Sequence, residues 1–283
     1  ELSLYGRFDF ILAKDGTPKI LEFNADTPTS LLEASVIQWQ WKEDVFPECD
    51  QFNGIHEGLV QSWKDIFPKK GEIHFAGALE NNEDTGTLQY LASTAMEAGF
   101  STRVLDMQAL DLQNGRFFDP AGELVNRCFK LYPWEWMVDE SPDGCLAEME
   151  WLEPIWKLVM SNKAILATLY ELFPDSPYVL PCYLSRPRSG LFCKKPVFSR
   201  EGHNVSVVDI RDWEEYVRIA ETEGDYNTGA YVYQEYAEPT AYSGRYPVIG
   251  SWIIGGEAAG IGIRENRMEV TDNLSEFVPH IIG

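Results

Sequence analysis

The sequence predicts an α+β chain with a small α/β, parallel-sheet subdomain set inside it. Three observations carry that expectation: a charged β-hairpin at the start, a strand–loop–helix–strand unit within residues 71–132, and a second half of short strands separated by Gly and Pro turns. With 283 residues, 45% of them hydrophobic and 13% aromatic, the chain can bury a large core as one domain or as two or three interlocked ones. No run reaches the roughly 18 apolar residues of a membrane-spanning helix, and none of the opening residues reads as a signal peptide.

Residues 4–12 alternate as a strand should, Lys14-Asp15-Gly16-Thr17 supplies a turn, and residues 19–24 supply the returning strand. Thr27-Pro28-Thr29 reads as a helix entry, with Leu32, Val36 and Trp39 on one face of a helix over 29–44. Residues 73–79 read as a buried strand and 80–87 as a polar loop. Then Leu88, Leu91, Ala92, Ala95 and Met96 recur at helical spacing before Gly99, which suits the residue after a helix end. A strand resumes at Arg103, and Asn114-Gly115 marks a tight turn. Residues 133–160 are rich in Trp and Met with few periodic cues. Asn162 to Phe173 reads as a helix ended by Pro174, and one amphipathic helix near 212–222 interrupts the later strands. The expected division is 1–70, 71–132 and 133–283.

Twenty-three Lys+Arg against 45 Asp+Glu give a formal net charge of −22. The basic residues are dispersed, with Lys69-Lys70 and Lys194-Lys195 only pairs, so a nucleic-acid partner is disfavoured. Such acidity serves solubility or attracts cations such as metal ions and polyamines. Glu83, Asp84, Asp272 and Glu276 are candidates for that attraction. Five widely spaced cysteines without a CxxC fit reduced thiols of a cytoplasmic protein, and the four scattered histidines show no His-rich metal site. The first residue is Glu1, so an upstream segment is expected to have been removed.

Chemistry-bearing residues gather in a few places. Arg7 and Asp9 share one face of the first strand and Glu22 and Asn24 one face of the second, so a short hairpin brings two carboxylates and an amide together. Hard oxygen ligands of this kind suit Mg²⁺ bridging to substrate phosphates; the alternative is a solvent-facing charged strand. Lys195, followed by a polar loop containing Gly202, could fold over phosphates or form an ordinary hairpin. Lys163, directly after Ser161-Asn162, opens a helix whose N-terminus favours an anion, or is a surface lysine. Gln234-Glu235 end an apolar strand and could meet a purine and ribose. Arg264 closes the Gly-rich strand 259–263, whose glycines permit close approach of a ligand or of packed neighbours. No GxxxxGK[ST], GxGxxG or HRD motif is present, which argues against P-loop, Rossmann and protein-kinase sites.

Tyr5-Gly-Arg7-Phe-Asp9-Phe with Leu21-Glu22-Phe-Asn24-Ala-Asp26-Thr27-Pro-Thr29-Ser30 resembles the signature of the glutathionylspermidine synthase family. Further matches follow in the same order: Phe129-Lys130-Leu-Tyr-Pro-Trp134-Glu135-Trp, Glu153-Pro-Ile-Trp156 with Ser161-Asn-Lys163, Lys194-Lys195-Pro196 with Ser199-Arg-Glu-Gly202, and Gly262-Ile-Arg264. The resemblance implies an ATP-grasp fold, with ATP held between two α+β subdomains. By motif position it implies Mg²⁺ on Asp9, Glu22 and Asn24, and ATP on Lys163, Lys195, Gly202 and Gln234, Glu235, Tyr236 and Ala237. It further implies Arg7 and Arg264 as the groups stabilising charge in catalysis, and glutathione near Thr27, Glu83, Asp84 and Glu135. The wording lies closer to stand-alone synthase-like homologues, and the Cys/His-dependent amidase domain of bifunctional members has no counterpart in these residues.

The expected activity is therefore an ATP- and Mg²⁺-dependent carbon–nitrogen ligase joining a peptide-like acid to an amine through an acyl phosphate, with glutathione and spermidine as leading substrates. A different acid and amine is the alternative within the class. A non-catalytic ATP-binding module would not need Arg7 and Arg264, and a metal-dependent phosphohydrolase calls for His or further Asp pairs that the sequence does not supply.

Overall fold

The computed structural model describes residues 2–200, 202–212, 215–224, 226, 229–268 and 275–283. β1 (Tyr5–Leu12) and β2 (Pro18–Asn24) form the expected hairpin, with Gly16 at φ +81° in its turn. Arg7 pairs with Asn24 and Asp9 with Glu22. The register then slips, so that Phe10 faces Ile20 and Leu21 is left as a bulge. A widened helical turn over Glu33–Ile37 continues into α1 (Gln38–Val45), so this helix starts later than expected, after Ser30 at φ +65°. α2 (Ile55–Ile66) turns Ile55, Leu59, Val60 and Trp63 inward.

β3 (Glu72–Gly77), α3 (Asn82–Glu97) and β4 (Ser101–Asp106) realise the strand–helix–strand unit. α3 begins inside the stretch expected to be a loop. Asn81 caps it by accepting from Glu83 N–H at 2.9 Å, and Glu83 and Asp84 occupy the first turn, where the helix dipole favours acids. That turn is polar and carries no apolar period, which hid it. Leu88, Leu91, Ala92 and Ala95 are buried as expected, whereas Met96 is 60% exposed. Gly99 takes φ +95° just beyond the helix end.

β5 (Asp111–Gln113), β6 (Arg116–Phe118) and β7 (Leu124–Val125) form a small antiparallel ribbon, turned at Asn114 and Gly115, both at positive φ. β8 (Arg127–Leu131) returns to the parallel sheet. The Trp-rich stretch then yields α4 (Trp134–Glu140), α5 (Pro142–Cys145) and β9 (Glu150–Leu152). β9 joins a four-stranded parallel sheet in the order β4-β3-β8-β9.

α6 (Lys157–Ser161) and α7 (Ile165–Leu172) lead into a five-stranded sheet. Its strands are β10 (Cys182–Tyr183), β11 (Gly190–Pro196), β12 (Ser206–Ile210), β13 (Tyr216–Glu221) and β14 (Tyr231–Glu235), in the order β10-β14-β11-β12-β13. The helix expected near 212–222 is instead the edge strand β13, pairing Ile210 with Tyr216 and Ser206 with Glu221. β-branched Val217 and Ile219 alternate with Arg218 and Ala220, and the open edge of β12 selects the extended form. β15 (Tyr246–Ile254), β16 (Glu257–Asn266) and β17 (Glu276–Val278) complete an antiparallel sheet in the order β17-β16-β15-β1-β2.

One apolar core runs from Tyr5 and Trp252 of this last sheet through Leu31, Leu59 and Trp63 to Phe75, Leu91 and Phe129. Burial of these groups is the main term stabilising the fold. The core therefore welds the parallel sheet to the hairpin. The strand glycines serve it as well: a Cβ on Gly260 would lie 2.9 Å from Ile55, and one on Gly262 would lie 3.0 Å from Phe277 and 3.1 Å from Ala34. All five cysteines are unpaired. Among the described residues no helix is long and apolar enough to cross a membrane.

Candidate active site

The hairpin and the sheet containing β11 and β14 face each other across a cleft. Residues lining it include Arg7, Asp9, Glu22, Asn24, Thr27, Glu135, Lys163, Lys195, Gly202, Gln234, Glu235, Tyr236, Ala237 and Arg264. Glu83 and Asp84 lie on the first turn of α3 and are not part of this lining. Of the other acidic residues singled out by charge, Glu276 pairs with Arg245 at 3.0 Å, and Asp272 lies outside the described residues.

Alternation on β1 turns Arg7 and Asp9 to the same side, and the side chains meet. Arg7 Nε donates to Asp9 Oδ1 at 2.6 Å and Nη2 to Oδ2 at 2.9 Å. Arg264, on β16 far along the chain but only one strand beyond β1's neighbour β15 in the sheet, donates from Nη2 to Asp9 Oδ2 at 3.0 Å. Two guanidinium groups thus converge on one buried carboxylate. Arg7 is buried, which disfavours its charge, but the charge and hydrogen bonds of Asp9 outweigh that and raise its pKa. Gly250, the cross-strand partner of Asp9, makes room for Arg7: a Cβ there would lie 2.6 Å from Arg7 Cδ.

Asn24 Nδ2 stands 3.2 Å from Asp9 Oδ2 and 3.3 Å from Glu22 Oε1. The amide carries its partial positive charge into the gap between two carboxylates, where a cation would be held, and turning the amide over presents its oxygen there. Two carboxylates and an amide oxygen form a hard donor set, so these residues fit Mg²⁺. Among the described residues there is no group of three or more His, Cys, Asp and Glu that could hold a metal by themselves.

The second oxygen of Glu22 accepts from Lys163 Nζ at 2.9 Å. Burial pushes the Glu22 carboxyl up, but Lys163 and Lys195, then the hydrogen bond from Lys163 and the charge of Arg7, hold it at about 2. Lys163 Nζ also donates to Ser199 O at 2.7 Å, at the start of the Gly202 loop. The helix N-terminus expected to greet an anion here is already engaged: Lys163 N–H bonds Val197 O and Ala164 N–H bonds Asn162 Oδ1, both at 2.8 Å. Lys163 faces the cleft through its side chain alone.

Lys195 Nζ donates to Leu21 O at 3.0 Å, so the bulge in β2 provides an acceptor outside the ladder, and to Gln234 Oε1 at 2.7 Å. Gln234 Nε2 in turn donates to Ile20 O at 2.8 Å. Both ends of this amide are taken by the protein, and Gln234 acts as a strut for Lys195. Glu135 pairs with Arg200 of the Gly202 loop. Arg200 lies within Ser199–Gly202, where its neighbours in sequence give it no role, and only the tertiary approach of α4 to the loop reveals its partner. Gly250 was missed for the same reason.

Five cationic and four carboxylate side chains line the cleft, in a chain with 23 and 45 of them. In a strongly acidic protein this cleft thus carries a slight excess of cationic side chains, which favours an anionic ligand.

The family described as "Glutathionylspermidine synthase preATP-grasp" matches residues 1–283. The chain belongs to the glutathionylspermidine synthase family. A Haemophilus influenzae protein named "Putative acid–amine ligase" is 39% identical over 99% of this chain and 75% of its own length. The trypanothione synthetase of Crithidia fasciculata is 28% identical over 96% of this chain, which spans about half that relative, 46% of its length. The family's curated members named here are thus a ligase and a synthetase. The crystal structure of a "Putative gamma-glutamylcysteine synthetase" from Methylobacillus flagellatus shares the fold, with a TM-score of 0.65 at 9% identity over 99% of this chain and 80% of that one.

Proposed function

We propose that the chain is the synthetase part of an ATP-grasp carbon–nitrogen ligase that joins a peptide-like acid to an amine, with glutathione and spermidine as the leading pair. The observation that carries this reading is the convergence of Arg7 and Arg264 on Asp9, beside Asn24 and a Glu22 held ionised by Lys163. The acid's carboxylate takes the terminal phosphoryl group of ATP to give an acyl phosphate and ADP. The amine then attacks the acyl carbon, and phosphate leaves.

Mg²⁺ held by Asp9, Glu22 and Asn24 supplies neutralisation of phosphate oxygens. Lys195, braced by Leu21 O and Gln234, and Lys163, braced by Glu22 and Ser199 O, bind the nucleotide phosphates as fixed charges. The Gly202 loop closes over them, excluding water that would otherwise compete with the amine. Arg7 and Arg264 stabilise the charge that develops on the transferring group and on the tetrahedral centre. Thr27 and Glu135 contact the acid. Catalysis rests on positioning and charge, and no covalent nucleophile of the protein takes part.

The test is ADP release measured across a panel of acids and amines, with Glu22→Ala as control. Release that requires both an acid and Glu22 supports the reading. ATP binding with no acid-dependent turnover by any member of the panel overturns it.

A further inference from the structure

Four charged side chains lie buried behind the cleft wall: Asp26 and Lys130, and Glu153 and Lys157. Lys130 Nζ donates to Asp26 Oδ1 at 2.6 Å and to Tyr132 O at 2.9 Å, and sits 4.4 Å over the ring of Trp134. The other oxygen of Asp26 accepts from the backbone N–H of Trp134 at 2.9 Å. Glu153 Oε1 accepts from Leu4 and Tyr5 N–H, and Lys157 Nζ donates to Tyr5 O at 2.7 Å and Ala25 O at 2.9 Å.

Removing such charges from water is expensive, and apolar residues of similar size in their place are often as stable or more so. Fold stability alone therefore does not account for them. What the Asp26 group does is tie together two segments 104 to 108 residues apart that both carry cleft residues. Thr27 follows Asp26 directly, and Arg7 Nη1 donates to Thr29 O. Glu135 follows Trp134. α4 receives no side-chain cap from its own N-terminal flank, and its first N–H is held by Asp26. Lys163, Lys195 and Gln234 are braced by other groups altogether.

We infer that Asp26 is a positioning residue for the cleft wall formed by Thr27, Thr29 and Glu135, holding the first turn of α4 through Trp134 N–H while Lys130 holds Asp26. The inference rests on the proposed ligase reading only for which substrate that wall meets: the acid, not ATP. Asp26 touches no substrate and acts through its neighbours.

Two paired substitutions separate the clamp from the charge. D26N/K130M removes the ion pair and keeps an acceptor for Trp134 N–H, whereas D26L/K130M removes both. With glutathione, spermidine and ATP, D26L/K130M is expected to raise the KM for glutathione about tenfold, the equivalent of one hydrogen bond of roughly 1.4 kcal/mol, with the KM for ATP unchanged. D26N/K130M stays close to the parent protein. An unchanged glutathione KM in D26L/K130M, or equal losses for both substrates, overturns the inference. D26A/K130M gives the same comparison if the leucine pair fails to fold.

Amide hydrogen exchange provides a readout that needs no turnover. Trp134 N–H should exchange at least about tenfold faster in D26L/K130M than in D26N/K130M, with Phe129 of β8 unchanged. Equal protection at Trp134 in both variants overturns the inference. If the parent protein releases no ADP in response to any acid, the ligase reading falls and exchange alone decides the role of Asp26.

Discussion

Replacing Lys163 with Met removes the cation that touches Glu22 and leaves the carboxylate in a cleft still shielded from water. Glu22 is held at about 2 against an ordinary 4.5, and that difference corresponds to about 3 kcal/mol in favour of the ionised form. Burial opposes ionisation, and Lys163 is the largest of the groups that overcome it, through both charge and hydrogen bond. Without it, burial is opposed mainly by Lys195, Arg7 and the Asn24 amide, and the Glu22 pKa should rise markedly.

The sign for stability follows. A carboxyl whose folded pKa is depressed stabilises the fold fully above its unfolded pKa, and that stabilisation is lost as pH falls from about 4.5 toward 2. Lys163→Met should abolish this share of the acid sensitivity. Side-chain carboxyl ¹³C titration of the ligand-free protein, with Glu22→Gln to assign the resonance, reads the change directly. In the parent protein Glu22 stays ionised down to about pH 3; in Lys163→Met it protonates at distinctly higher pH. A Glu22 that remains ionised to the same low pH in Lys163→Met refutes the coupling described.

Gly250→Val places a side chain where the buried Arg7 lies, so kcat should fall about a hundredfold and, with the Arg7–Asp9 pair displaced, the melting temperature should fall too; retained turnover would show that Arg7 needs no such clearance. Asn24→Leu removes one hard oxygen donor and leaves the two carboxylates, and isothermal titration should find weaker ATP binding with a smaller response to Mg²⁺ between chelated and saturated conditions. Trp63→Ala empties the middle of the core and takes from Thr94 Oγ1 the Trp63 Nε1 donor at 2.9 Å, leaving only its own bond to Leu91 O; urea unfolding should register a loss of about 3–5 kcal/mol.

Much of the site was legible because β-strand periodicity is local. The alternation that places Arg7 with Asp9 and Glu22 with Asn24 needs only the turn at Gly16 to bring the two faces together. Turn chemistry was equally readable at Asn114-Gly115 and at Gly99. The misses have tertiary causes. Tyr216, Val217 and Ala220 fit a helical face as well as an alternating strand, and the open edge of β12 decides between them. The first turn of α3 is polar, so apolar spacing could not mark it, although Asn81 followed by Glu83 and Asp84 is a capping signal in its own right. Asp26, Lys130, Glu153 and Lys157 each look like surface charges until segments more than a hundred residues apart are brought together.

The carboxylate oxygen itself provides the most direct test. Glutathione labelled with ¹⁸O in its carboxylates, incubated with ATP, Mg²⁺ and spermidine, should give inorganic phosphate carrying one ¹⁸O for each amide formed, because the oxygen that accepts the phosphoryl group leaves with it. Phosphate released without label, or at the same rate when acid and amine are omitted, would contradict an acid–amine ligase working through an acyl phosphate in this cleft.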